Sequence, residues 1–241
     1  MRFSDAGSLS ESERTKNRNR LGWVLLLLII TVFFSIAAPD EPWAWLATTV
    51  VLAINLSTAM LASGVRSKTV GAWSVFAGLG VAASIIIAIT QEASAASGYL
   101  ALTALLLTLV TIGAIVRRFW KHAAEISLLT VLGAVCIYVL LGLSFAFMFQ
   151  AVGELGSQPF FASQESGTRS DYIYFSFITM ETVGYGDLTP HGGIGRALAA
   201  IEGLLGQIYL VTAVAALVGN LGRTRAPRQE RDKAALQEDE R

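Results

Sequence analysis

Apolar residues fill this chain in long runs separated by short polar connections. A hydrocarbon core about 30 Å thick requires roughly 20 apolar residues of helix to cross it. Runs at 21–38, 43–62, 70–90, 98–116, 126–150 and 194–221 meet that length or come close, and none of the first four contains a charged residue. A shorter apolar stretch, 171–181, lies between the last two runs. It is too short to span and reads as a re-entrant helix that enters the membrane and stops. The pattern therefore predicts an all-α membrane protein with six transmembrane helices and one re-entrant helix. The ends, 1–20 and 223–241, are polar and charged with no apolar periodicity, and read as disordered tails, with weak helix over 233–240. No folded cytoplasmic ligand-binding domain is expected from them.

Composition agrees with that pattern. Hydrophobic residues make up 54% of the chain and charged residues 15%, against about a quarter in soluble domains. Net charge is zero, which gives no footprint for nucleic acid. The first apolar run is long, lacks a small-residue cleavage site and is followed by further spans, so it is expected to be retained rather than cleaved as a signal peptide. Trp23, Trp43, Trp45, Trp73 and Trp120 fall near run ends, where amphipathic rings favour the interface.

The connections set an orientation. Arg14, Lys16, Arg18 and Arg20 precede the first run; Arg66 and Lys68 follow the second; Arg117, Arg118 and Lys121 follow the fourth; Arg223, Arg225 and Arg228 follow the sixth. The alternate connections carry Asp40, Glu41, Glu92, Glu154, Glu165 and Asp171, with only Arg169 and Arg196 as basic residues. The positive-inside bias places both termini in the cytoplasm of a multi-pass protein of the plasma membrane.

Between the fifth and sixth runs the order is a Gly/Ser/Gln-rich segment (152–170), read as an exposed turret, then the re-entrant helix, then Thr182-Val183-Gly184-Tyr185-Gly186-Asp187. Ser170 or Asp171 is placed to cap the short helix. The negative end of its dipole then points at the membrane centre and favours a cation. Non-helical backbone at that depth must be buried in protein or line a water-filled path.

Thr-Val-Gly-Tyr-Gly is the loop sequence of potassium selectivity filters, and residues 126–222 resemble the pore domain of a tetrameric potassium channel. The whole chain is similar to bacterial six-helix, single-pore channels of the voltage-gated-like superfamily, with the motifs carrying the likeness only in the last two runs. The resemblance implies that carbonyls of Thr182, Val183, Gly184 and Tyr185 replace the hydration shell of K+, with Gly186 shaping the outer mouth. Gly184 and Gly186 lack a Cβ and so admit left-handed backbone. One strand supplies one oxygen per layer, so a complete cage requires several copies around an axis, and the resemblance implies a homotetramer in the lipid bilayer. Implied too are a gating-hinge glycine at Gly206 and cavity-lining positions at Gln207, Leu210 and Val214. The corresponding domains are 1–20, a cytoplasmic tail; 21–121, a four-helix transmembrane domain; 122–222, the pore domain; and 223–241, a second cytoplasmic tail.

Three positions depart from the family pattern. Glu181 stands where a second threonine is usual, and a carboxylate at a helix C-terminus must be neutral, paired or near cations. Ile178 replaces a glutamate that some of these channels carry behind the filter. The pore-helix aromatic pair is Tyr174-Phe175; the Tyr174 hydroxyl is within reach of Asp187, while Phe175 has nothing to donate to Tyr185.

Charge movement is expected to be small. A voltage sensor carries several charges across the field, each worth about 2.3 kcal/mol per 100 mV. The 98–116 run has none, and Arg117-Arg118 at its cytoplasmic end reads as an anchor. Glu202 and Gln207 lie inside the last run, where polar groups are costly; Glu202 is expected to face a pore helix unless that span is misplaced towards lipid. Gly206 reads as a hinge or as a close-packing residue. His122 and His191 read as interfacial residues, with pH sensing as the alternative. Cys136, the single cysteine, reads as a small apolar residue.

Two isolated histidines and one cysteine assemble no catalytic, metal-ligand or phosphate-binding constellation, so no enzyme, cofactor or small-molecule substrate is expected. Potassium enters as the permeant ion. The competing readings are a non-selective monovalent cation channel, which would be expected to alter Tyr185, and a subunit of a potassium-uptake transporter, which would be expected to hold four degenerate filter copies.

Overall fold

The structure is a computed structural model that describes residues 11–39, 41–62, 71–73, 75, 78–80, 82, 93–121, 128–163 and 167–239. Six named helices follow in order: α1 (Glu11–Ala37), α2 (Pro42–Ala62), α3 (Ala93–Lys121), α4 (Leu128–Leu155), α5 (Arg169–Met180) and α6 (Gly192–Asp239). Most of the expected span at 70–90 lies outside the described residues, as does His122; those described within 70–90 are helical. Among the described residues, three helices are long and apolar enough to cross a membrane, at Ala95–Arg117, Thr130–Leu155 and Gly192–Ala216, and shorter apolar helices occupy Gly22–Ala37 and Ala47–Leu61.

Two of the sequence expectations need correction. Helix α1 begins at Glu11 and α6 runs to Asp239, so most of the polar ends read as tails are helical. Helix nucleation is the costly step, and once a span has nucleated, Lys, Arg, Glu, Gln and Ala extend it at little cost. The second correction concerns the turret. Helix α4 continues through Leu155, and Phe160 and Phe161 are buried rather than exposed.

Helix α3 packs along α4, and α2 bridges α1 and α3. The core between them gathers Val24 and Leu28 of α1, Leu52 and Leu56 of α2, Leu107 and Ile115 of α3, and Cys136, Leu140 and Leu143 of α4. Hydroxyls inside this bundle find partners close by: Ser144 Oγ lies 2.9 Å from Thr108 Oγ1 across the α3–α4 contact and 2.7 Å from Leu140 O, and its one proton goes to one of them. Back-bonding of this kind lets polar side chains sit within apolar helices.

Helix α5 is cradled by α4, α6 and α1. At about 1.5 Å per residue its 12 residues reach roughly 18 Å, short of a bilayer crossing. A second core of Phe145 and Phe149 from α4, Phe160 and Phe161 from the turret, and Tyr172 and Phe175 from α5 holds its outer end. Ring centroids lie 5.0 Å apart for Phe149–Phe160 and 5.1 Å for Phe161–Tyr172, within the range of favourable aromatic pairs.

Candidate functional site

Local chemistry fixes where α5 starts. Thr168 is its N-cap, with extended backbone (φ −79°, ψ 161°). The Asp171 amide donates to Thr168 Oγ1 at 3.2 Å, and the Thr168 amide donates to Asp171 Oδ2 at 2.9 Å, a complete capping box. Neither Ser170 nor Asp171 is the cap itself, because the helix begins at Arg169, ahead of both. The Ser170 hydroxyl instead donates to Ile36 O at the end of α1, at 3.2 Å. Arg169, expected on an exposed connection, is buried, and its guanidinium donates to Thr48 Oγ1 of α2 at 3.2 Å. The start of α5 is thereby tied to α1 and α2.

The C-terminal end turns abruptly into the 182–187 segment. The Glu181 amide donates to Phe177 O at 2.9 Å, Thr182 N to Thr179 O at 3.1 Å, and the amides of Val183 and Gly184 both donate to Ile178 O, at 2.9 and 3.2 Å. Three residues then take left-handed backbone: Thr182 (φ 59°), Gly184 (φ 51°) and Gly186 (φ 82°). A β-branched residue there is strained, so Thr182 is held by its surroundings rather than by preference. The segment returns beside the turret, where Ala162 N donates to Thr189 O at 2.9 Å and His191 N to Phe160 O at 2.6 Å. That clip anchors the far end of the loop to the aromatic core.

Two pairs of side chains lie near the two ends of the segment. The Tyr174 hydroxyl is within hydrogen-bonding reach of the Asp187 carboxylate. The Tyr138 phenol of α4 lies near the Glu181 carboxylate. Phe175 turns away from the loop and packs against Phe149 at 5.3 Å and Phe161 at 5.5 Å.

Thr182, Val183, Gly184, Tyr185, Gly186 and Asp187 are all exposed on the single chain, Tyr185 at 72%. Beside them α6 presents Ile194, Ile201, Leu204, Leu205, Ile208 and Val211, all exposed. Gln207, Leu210 and Val214, spaced by three and four residues, share one exposed face of the same helix. Gly206 faces the other way. A Cβ there would stand 2.5 Å from Met180 Cγ and 3.1 Å from Met180 O, so a glycine is required for α6 to approach the end of α5. Three residues further along, Tyr209 donates its hydroxyl to Ala134 O at 2.7 Å and stacks on Tyr138, tying α6 to α4.

Phe160, Phe161 and Arg169 position this site without having been singled out in the sequence for that role. The available signal was an adjacent Phe pair inside an otherwise polar segment, and a basic residue on a connection dominated by acids.

Residues 126–222 match the family model described as ion channel. Among curated proteins, the inward rectifier potassium channel Kirbac3.1 of Paramagnetospirillum magnetotacticum is 30% identical over 116 residues, covering 46% of this chain and 38% of that protein. Potassium voltage-gated channel subfamily KQT member 4 of Homo sapiens is 36% identical over 72 residues, covering 30% of this chain and 10% of that protein. Protein LctB of Geobacillus stearothermophilus is 41% identical over 78 residues, 30% of this chain and 56% of that protein. The chain thus spans less than half the length of the first two relatives. Over 126–222 the chain is thus similar to ion channels, and three of its described helices are long and apolar enough to cross a membrane.

Proposed function

We propose that this chain is one subunit of a homotetrameric, potassium-selective channel that conducts K+ passively, with 182–187 as its filter. The observation that carries the reading is the 182–187 segment itself. It leaves the end of a re-entrant helix, takes left-handed backbone at both filter glycines and faces away from its own chain. Carbonyls of Thr182, Val183, Gly184 and Tyr185 would coordinate the ion, with Tyr174–Asp187 and Glu181–Tyr138 bracing the strand from behind. Gln207, Leu210 and Val214 would line the cavity below. Three further copies of the chain would cover the exposed apolar face of α6.

The proposal includes six spans, cytoplasmic termini and a plasma-membrane location. The mass of the purified protein in detergent tests the assembly: the expected particle contains four 25.7 kDa chains, and a monomer that conducts would contradict it.

Gating is proposed to depend little on voltage, since no charged residue lies within 98–116. Opening would fall to the filter, to the α6 segment near Gly206, or to lipid and tension acting on the outer helices. A conductance–voltage curve in a planar bilayer is expected to be shallow; a steep sigmoid equivalent to many gating charges would refute this.

A further inference from the structure

Glu202 is fully buried on α6, behind the α5 helix that carries the filter. Its Oε1 lies 2.5 Å from the hydroxyl oxygen of Ser176 on α5. That same hydroxyl lies 2.7 Å from Gly142 O on α4. A serine hydroxyl has one proton to give, and a backbone carbonyl can only accept. If Ser176 gave its proton to Glu202, its oxygen would face the Gly142 carbonyl at 2.7 Å with no hydrogen between them. If Ser176 gives its proton to Gly142, Oε1 must supply the proton for the other contact. Only the second arrangement makes both contacts hydrogen bonds.

The remaining oxygen points the same way. Glu202 Oε2 is buried with no hydrogen-bond partner in the chain. An ionised carboxylate left with a bare oxygen in an apolar interior is far more costly than a neutral acid left with one. Among the described residues, the titratable groups facing this site are Tyr138 on α4 and, beyond it, Glu181 at the end of α5; neither is a cation.

We infer that Glu202 is a neutral carboxylic acid that donates to Ser176, forming a relay Glu202–Ser176–Gly142 that fixes the filter helix between the inner and outer helices. Glu202 is thus a positioning residue, and the proton it holds is part of the pore's structure. The inference stands on the α4–α5–α6 geometry and does not depend on which ion crosses.

Infrared difference spectroscopy on the full-length protein in lipid at neutral pH, wild type against Glu202→Gln, reads this directly. The expected result is loss of one protonated-carboxyl C=O band, with Glu202→Gln keeping the wild-type thermal midpoint because an amide both donates to Ser176 and retains an acceptor. Glu202→Val and Ser176→Ala are expected to lower that midpoint by several degrees. Loss of an ionised-carboxylate band instead, or a Glu202→Gln variant that fails to fold, would overturn the inference. Failure of the channel reading would leave the infrared result unchanged.

Discussion

Replacing Gly186 with alanine is expected to abolish potassium-selective conduction while leaving the protein folded. Gly186 sits at φ 82°, and within the chain a Cβ there meets no atom within 4 Å. The cost is therefore backbone conformation rather than a clash: about 1–2 kcal/mol per chain for an L-residue in left-handed geometry. In the proposed homotetramer four copies would share one ring, so the penalty would fall four times on the same structure, and the strand would relax towards negative φ instead of bearing it. Relaxation would turn the carbonyl away from the axis in every subunit at once. Paired measurements of K+ and Na+ flux in the variant check this: selective K+ flux is expected to disappear, with the thermal midpoint close to wild type. Retained selectivity would count against the filter assignment.

Gly206→Ala is expected to act on a different quantity. The added methyl would press on Met180 Cγ and on the Met180 carbonyl, two residues before the 182–187 segment begins. Overpacking of this kind costs typically 1–3 kcal/mol, and here the strain would pass into the end of α5 through the hydrogen bonds from residues 181–184 to residues 177–179. The expected outcome is a lower thermal midpoint together with reduced conductance. A glycine serving as a hinge makes the opposite forecast, since alanine would stiffen α6 and change open probability without loss of thermal stability. Calorimetry and single-channel recording on the same preparation separate the two.

The apolar runs and the 182–187 motif were legible in the sequence because each is written locally. An apolar run of membrane length needs no partner to be recognised, and 182–187 is contiguous. Burial of Phe160 and Phe161 depends on Phe149, Tyr172 and Phe175 meeting them from two other helices, which no local pattern encodes. Arg169 read as an exposed cation because its partner, Thr48, lies 121 residues earlier. The same holds for Glu202: its cost within a membrane helix was visible, but its Ser176 partner lies 26 residues away across a helix contact. The cap moved from the expected Ser170 or Asp171 to Thr168 because the capping box uses two residues jointly, and Asp171 serves as its second member.

Ion flux through the wild-type protein reconstituted in liposomes, driven by a K+ gradient with Na+ as the control, tests the central claim most directly. The account predicts rapid K+ flux and negligible Na+ flux under the same driving force. Equal passage of both ions, or passage of neither, would contradict it.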